Sequence, residues 1–321
     1  MLLVYFVVLI FSFIVTFGFL KVLIPRLKAA GITGKDMNKP DKPEIAEMGG
    51  IAIIAGFTAS IMLVIMLNTF FGFEINLKHL LAGLIVVHSI AFIGIVDDLI
   101  SIPQYVKAIL PIFAAVPLIA LRAAGSTTMA LPFVGEVDFG LFYLLVLVPI
   151  GITVASNLTN MLAGFNGLEA GMGIIIFSVA SILAYHNNAT VSFFLFLSFL
   201  GALIAFFLFN RYPAKVFPGD VGTLSIGATL ATGVIIGNME TIGALLLLPH
   251  VVDFFIKLAN NLPKWGEEYK GGKLYPVGGK VRGFCQLVMK LTNGISEQNL
   301  VLVFLAIEAL VGIIVLLLFL H

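Results

Sequence analysis

The feature that most restricts this chain is an apolar stretch of spanning length that keeps returning. Nearly uncharged runs occupy residues 1–24, 49–71, 79–96, 106–121, 139–155, 168–185, 191–209, 222–237, 241–262 and 299–320. A helix of about 20 apolar residues crosses the hydrocarbon core of a bilayer, and helices satisfy every backbone group there from within. The pattern predicts an all-α, polytopic integral membrane protein with about ten transmembrane helices. Composition agrees, with 60% of the 321 residues hydrophobic and 11% charged and a mean hydropathy of +1.12, far outside soluble averages. Pro111 and Pro117 interrupt the fourth run, which spanning helices tolerate when neighbours re-satisfy the backbone. The first run has no basic leader and no small-residue cleavage site before Lys21, so it is expected to remain as a span.

Ten spans place both termini on one side, and the basic residues then choose the side. Of 18 Lys and Arg, only Lys78 and Arg122 fall with the termini. The others lie in, or at span ends beside, the connections at about 25–48, 97–106, 156–167, 210–221 and 263–298. By the positive-inside rule these connections are cytoplasmic and both termini face outward, within a single membrane-embedded domain covering 1–321. A net charge of +1 with scattered basic residues gives no nucleic-acid-binding stripe, and the single Cys285 excludes an internal disulfide.

Asp97 and Asp98 end the third run. A charge at a helix centre in lipid costs about 2.5–3.5 kcal/mol on insertion scales, so acids kept at a membrane boundary commonly hold a cation or a phosphate substrate. The competing reading is a helix that ends in water. A second stretch, 157–171, reads Asn-Leu-Thr-Asn-Met-Leu-Ala-Gly-Phe-Asn-Gly-Leu-Glu-Ala-Gly. Its glycines allow close backbone approach to a ligand and its carboxamides offer neutral oxygens, although small residues also pack spanning helices together. A third, Asn210 to Gly222, contains Phe217-Pro218-Gly219-Asp220, a turn that delivers one carboxylate to the next span. Mg²⁺ takes one or two such carboxylates and completes its octahedron with water and substrate phosphate. Arg211 and Lys215 beside it fit phosphate contact and equally fit ordinary membrane anchoring.

These residues share one predicted face, whereas a transporter shows its ionisable groups near the midplane, often in two repeated halves. Asp97-Asp98 with Lys107 following, the Asn-rich stretch and Phe-Pro-Gly-Asp together resemble the polyprenyl-phosphate N-acetylhexosamine-1-phosphate transferases (glycosyltransferase family 4), ten-span enzymes with a cytoplasmic-face active site. The string from Asn160 to Gly171, with 34–39, Glu47 and 295–300, is most similar to the eukaryotic and archaeal branch. That branch transfers GlcNAc-1-phosphate from UDP-GlcNAc to dolichyl phosphate, releasing UMP, as the first step of lipid-linked oligosaccharide assembly for N-glycosylation.

The resemblance implies a set of roles. Asp97, Asp98 and Lys107 are catalytic, with Lys107 on phosphate, and Asn160 and Asp220 hold Mg²⁺, with Mn²⁺ as a substitute. Lys35, Asp36, Met37, Glu47, Asn166, Phe217, Lys264 and Arg282 surround the nucleotide sugar, Asn166 and Phe217 by holding the uracil. Asn157, Asn160 and Lys107 meet the lipid phosphate. The expected partners are UDP-GlcNAc, a dolichyl or polyprenyl phosphate and the bilayer, with tunicamycin as inhibitor and a homodimer allowed. The chain departs from the family after the ninth span, where the usual Arg- or His-rich motif is replaced by 263–268, with Lys264 and Arg282 as stand-ins. Two alternatives are a bacterial-type transferase using another UDP-sugar for cell-wall glycan and a nucleotide-sugar transporter. Glu308, His250 and Asp253 are each a lone polar group in a span and are set aside as internally bonded.

Overall fold

The computed structural model describes residues 2–122, 126–131, 134–262 and 266–320. The chain is mostly helical. Long helices α1 (Leu2–Ala29), α2 (Gly50–Phe71) and α3 (Leu77–Ile100) are followed by three short ones, α4 (Gln104–Ile109), α5 (Pro111–Ala114) and α6 (Val116–Arg122). Then come α7 (Val148–Met161), led in by a π-helical stretch Tyr143–Leu147, α8 (Leu168–His186), α9 (Thr190–Asn210) and α10 (Gly219–Gly237). The last are α11 (Glu240–Leu246), α12 (Leu248–Ala259), α13 (Phe284–Leu291) and α14 (Glu297–Phe319). Among the described residues nine helices are long and apolar enough to cross a membrane, ten if α11 and α12, bent by 61°, count as one.

The fourth run is the one its prolines disturb. The helix breaks before Pro111 and again before Val116, one residue ahead of Pro117, because a proline ring withdraws a backbone donor and collides with the preceding turn. The bend between α11 and α12 sits at Leu247–Pro249, with Pro249 in the first turn of α12.

Burial sorts the helices into layers. In α10, 83% of the most apolar window is buried, against 22% in α1, so α10 is the central post and α1 an outer one. The residues of α10 explain its place: Gly222, Thr223, Ser225, Gly227, Ala228, Thr229, Ala231, Thr232 and Gly233 give it a slim surface that neighbours approach closely. A Cβ on Gly94 of α3 would stand 2.5 Å from the Val221 backbone, and one on Gly227 would collide with the Ala155 carbonyl of α7. α9 wraps the same core with Phe194, Phe196, Phe199 and Phe206, all fully buried.

Three antiparallel hairpins modify the all-α expectation. They pair β1 (Thr33–Lys35) with β2 (Glu44–Ala46), β3 (Thr128–Leu131) with β4 (Gly135–Asp138), and β5 (Glu267–Lys270) with β6 (Lys273–Pro276). The first is anchored to the turn after α9, where the Phe217 N–H donates to the Ala46 carbonyl at 2.8 Å. The third is anchored ahead of α14 by mutual Leu274–Ile295 backbone bonds of 2.7 and 3.2 Å.

Several helix ends differ from expectation. α3 runs on to Ile100, α7 to Met161, and α10 begins at Gly219. Asp97, Asp98, Asn157, Asn160 and Asp220 therefore sit on terminal helical turns and not in the connections expected to carry them.

Candidate active site

Residues flanking the connections after α1, α3, α7, α9 and α12 converge at one end of the bundle and line a cavity of about 970 Å³. Helix ends fix the chemistry. Asp97, in the last turn of α3 and 8% exposed, accepts the Ile102 N–H at 2.7 Å and meets the Lys107 ammonium at 2.6 Å. Lys107, from α4, also pairs with Asp220 in the first turn of α10. Asn160, in the last turn of α7, donates from Nδ2 to Asp220 Oδ1 at 2.6 Å and to Thr223 Oγ1 at 2.7 Å. Lys107 and Asn160 thus meet on the Asp220 carboxylate, and Asp97 joins them through the Lys107 ammonium.

Asp98 has a different job from its neighbour. Its two oxygens accept the backbone N–H groups of Asp220 at 2.8 Å and Val221 at 3.2 Å. These donors have no partner within the helix, so Asp98 closes the N-terminus of α10 and seats Asp220 at the cavity. Both oxygens bond to backbone, so in this structure Asp98 positions Asp220. Gly219, with φ of 64°, makes the turn possible and lets Asp98 approach, since its Cβ position lies 2.5 Å from Asp98 Oδ2.

Lys35, Asp36, Met37, Glu47, Phe217 and Arg282 also line the cavity, as expected. At Glu47 burial, then the Asp220 carboxylate, raises the carboxyl above the ordinary glutamate range. Lys264 lies outside the described residues.

Two residues depart from their expected positions. Asn157 does not line the cavity, and its amide donates to the Thr153 carbonyl at 2.8 Å in its own helix. Asn166 is 3% exposed and also lies off the lining. Its Nδ2 donates to Asp36 Oδ2 at 3.1 Å and Glu297 Oε1 at 2.8 Å, while its Oδ1 accepts the Ala214 N–H at 2.6 Å. The amide is bonded within the protein and in this conformation ties four segments together. Lys39 completes that knot, pairing with Asp36 at 3.1 Å and with Glu297, its ammonium 4.3 Å from the centroid of the Tyr212 ring.

Sequence reasoning missed the opposite wall. Asp253, set aside above, is 1% exposed, pairs with Lys257 at 2.7 Å and accepts the Phe284 N–H at 2.8 Å. With Lys257, Glu267, Gln286 and Glu169 it lines the cavity, and Lys257 also donates to the Met161 carbonyl. The signal available was the i,i+4 spacing of Asp253 and Lys257 at the end of an apolar run. His250 and Glu308 line no part of the cavity.

Acidic residues outnumber basic ones on the lining: Asp36, Glu47, Asp97, Asp98, Glu169, Asp220, Asp253 and Glu267 stand against Lys35, Lys107, Lys257 and Arg282, and Lys107 is the cation paired with Asp97 and Asp220. Among the described residues no group of three or more His, Cys, Asp or Glu is arranged to hold a metal by itself. A carboxylate and a carboxamide on adjacent helix ends do fit a hard cation that completes its shell with water and phosphate oxygens.

The comparisons with known proteins agree with this arrangement. Residues 80–238, which carry most of the site, match the model of glycosyl transferase family 4. A protein of Saccharolobus solfataricus, provisionally named a UDP-N-acetylglucosamine–dolichyl-phosphate N-acetylglucosaminephosphotransferase, is 38% identical over 95% of this chain and 94% of its own. The chain belongs to glycosyl transferase family 4. The Saccharomyces cerevisiae enzyme with the same activity in its name is 29% identical over 79% of this chain and 69% of its own. A phospho-N-acetylmuramoyl-pentapeptide-transferase of Halalkalibacterium halodurans is 31% identical, over 72% of this chain and 74% of its own.

Proposed function

We propose that this family member transfers N-acetylglucosamine-1-phosphate from UDP-N-acetylglucosamine to a dolichyl or related polyprenyl phosphate, giving the lipid diphosphosugar and UMP. The observation that carries this reading is the meeting of Lys107, Asp97, Asn160 and Asp220 on the lining of one polar cavity, at the ends of helices long enough to span a membrane. The archaeal and yeast relatives bear that activity in their names and match over most of this chain. Leu262 to Gln298 contains no histidine, which disfavours the muramyl-pentapeptide donor named for the bacterial relatives.

In the reaction a lipid-phosphate oxygen bonds to the β-phosphorus of the donor. The bond from that phosphorus to the oxygen bridging the two phosphates breaks, and the electron pair leaves with UMP. A phosphate monoester has its second pKa near 6, so the nucleophile is largely a dianion at neutral pH and needs little help in losing a proton. The protein's task is then to bring two anions together and neutralise them. Lys107 supplies a fixed positive charge, and Asp97 orients its ammonium. Asp220 and Asn160 would hold Mg²⁺, whose contribution when bound is charge neutralisation at the diphosphate. Asp98 keeps Asp220 in place, and Phe217 offers its ring to the base.

The reading places the site on the cytoplasmic side, because sixteen of the eighteen basic residues lie beside the connections that form it (18 less Lys78 and Arg122). Incubation of purified protein with UDP-N-acetylglucosamine, Mg²⁺ and a polyprenyl phosphate tests it. Release of UMP dependent on the lipid is expected. No UMP with any lipid, together with donor uptake into proteoliposomes, would move the protein to the transporter class.

A further inference from the structure

Lys257 lines the cavity and takes no part in the transfer as Lys107, Asp97, Asn160 and Asp220 perform it. It comes from the last turn of α12, where its ammonium pairs with Asp253 at 2.7 Å and donates to the Met161 carbonyl. Met161 ends α7 and follows Asn160, whose amide donates to Asp220 Oδ1 at 2.6 Å. Lys107 pairs with Oδ2 of the same carboxylate. Asn160 and Asp220 are thus flanked by two ammonium groups, Lys107 on Asp220 and Lys257 beside Asn160. The second position is built. A Cβ on Gly283 would lie 2.9 Å from Asp253 Oδ1 and 3.1 Å from Lys257 Cε, so glycine lets the connection before α13 close over the pair. The Phe284 N–H, next in the chain, donates to Asp253 Oδ1 at 2.8 Å and holds that carboxylate against Lys257. An ammonium carries three donors. Asp253 and the Met161 carbonyl take two of them, and the Lys257 side chain keeps 20% of its surface exposed.

Two anions must meet in this cavity. The lipid phosphate carries a charge of about −1.5 to −2 at neutral pH, and each phosphate of the donor adds another. The lining is itself acidic, and Lys107 already answers two carboxylates, Asp97 and Asp220. Lys257 answers one, and that one shares its charge with a backbone N–H. Of the two cations held by helices, Lys257 therefore has more charge left for an incoming anion. The surroundings divide the anions between them. Beside Lys107 the chain exposes Leu99, Ile100, Tyr105 and Ile109, an apolar surface of the kind a lipid tail follows. Against Lys257 stands Gly283, in the connection between α12 and α14 that exposes Lys270, Lys273 and Lys280, a surface suited to a water-soluble anion.

We propose that Lys257 is a second phosphate-binding cation of the site, contacting the donor's diphosphate from the side of Asn160 and stabilising the charge that departs with UMP. This deepens the function proposed above and rests on it. Because α12 also exposes Phe255 and Leu258, the lipid phosphate is a second source of the same chemistry, and the test separates the two.

The measurement is calorimetric binding of UDP, uridine and a short-chain polyprenyl phosphate to the full chain with Mg²⁺, for wild type and Lys257→Gln. The substitution removes the charge and keeps a donor for the Met161 carbonyl. UDP affinity should fall about tenfold or more, the scale of a hydrogen bond to a charged group, while the affinities for uridine and the lipid stay within about twofold. The Mg²⁺ concentration that half-supports UDP binding should not change. Unchanged UDP affinity would overturn the proposal, as would a parallel loss of uridine. A loss of lipid affinity in place of UDP would assign the cation to the acceptor, and a raised Mg²⁺ requirement would make Lys257 a support for Asn160; either overturns it. If thermal unfolding shows that the variant has lost its fold, acylation of Lys257 in the wild type by an amine-reactive ester, read by mass spectrometry, decides. UDP should slow that reaction and uridine should not, and equal rates with both would overturn the proposal. If wild type releases no UMP and binds no UDP, the functional reading fails. If wild type is active and the variant binds UDP like it, only this inference fails.

Discussion

Adjacent carboxylates in one helical turn do unlike work here. Asp97 faces the Lys107 ammonium, whereas Asp98 is taken up by two backbone donors of α10, and the difference is testable. On the function proposed, Asp220→Asn should lower turnover at least a hundredfold with little change in unfolding temperature, because an amide of the same shape keeps the packing and removes the charge. Asp98→Asn should lower turnover and stability together, the latter by about 1–2 kcal/mol, the scale of a lost helix cap. An Asp98→Asn protein that melts like wild type yet is inactive would return Asp98 to the reacting atoms. Glu47 gives a pH test outside the spans. Its carboxyl is raised in the folded state, so the native protein binds its proton more tightly than the unfolded chain does. Stability from this group is present below the ordinary glutamate range and is lost as pH rises through the raised native value. Glu47→Gln should therefore gain in unfolding temperature over wild type near neutral pH and show no gain near pH 4. An equal difference at both pH values would show that the Asp220 charge and burial are not what Glu47 feels.

At the scale of elements, close packing around α10 positions the site as much as any polar contact. A Cβ on Gly94 would lie 2.5 Å from backbone atoms of Val221, which cannot rotate away. Gly94→Ala should push α3 from the first turn of α10, at a cost of about 1–3 kcal/mol for overpacking, and depress turnover although Gly94 does not line the cavity. Gly18→Ala, on open space in α1, is the control and should leave both unchanged or raise stability slightly. Thermal unfolding and UMP release read the pair; a Gly94→Ala protein indistinguishable from the control would remove the packing argument. The same elements show what was legible in the sequence. Spans were readable because lipid demands about twenty apolar residues in a row. Their ends were not, because Asp97, Asn157, Asn160 and Asp220 were taken as the polarity of a loop. They face protein and cavity, and the helical backbone bonds continue beneath them. The hairpins are three or four residues a side, too short for periodicity. Only Gly271-Gly272, both at positive φ between Lys270 and Lys273, carried a readable turn signal. The end of the site at Lys107, Asn160 and Asp220 was legible through motif residues. The wall of Glu169, Asp253 and Gln286 was not assembled from the sequence: Glu169 stood in the 157–171 stretch without a role, Asp253 had only its i,i+4 partner Lys257 as a signal, and Gln286, on a separate helix, had none.

For the whole molecule the open question is which way it sits in the membrane, and the fold sharpens the prediction. The connections after α1, α3, α7, α9 and α12 share one cavity, so they must share one side. Any single position on that face reports for all of them. Ile75 and Asn188, in the turns after α2 and α8, belong to the opposite face. Cys285 is buried, so Cys285→Ser supplies a quiet background for single introduced cysteines. Pro40→Cys, Lys215→Cys and Lys270→Cys should react with a membrane-impermeant maleimide only after the cytoplasmic side is opened, and Ile75→Cys and Asn188→Cys in intact cells. Labelling of all three cavity-side positions from outside would invert the protein and set the positive-inside count aside. Labelling of Pro40→Cys and Asn188→Cys from the same side would be the graver result, since it is incompatible with a helix count that brings the five connections to one cavity.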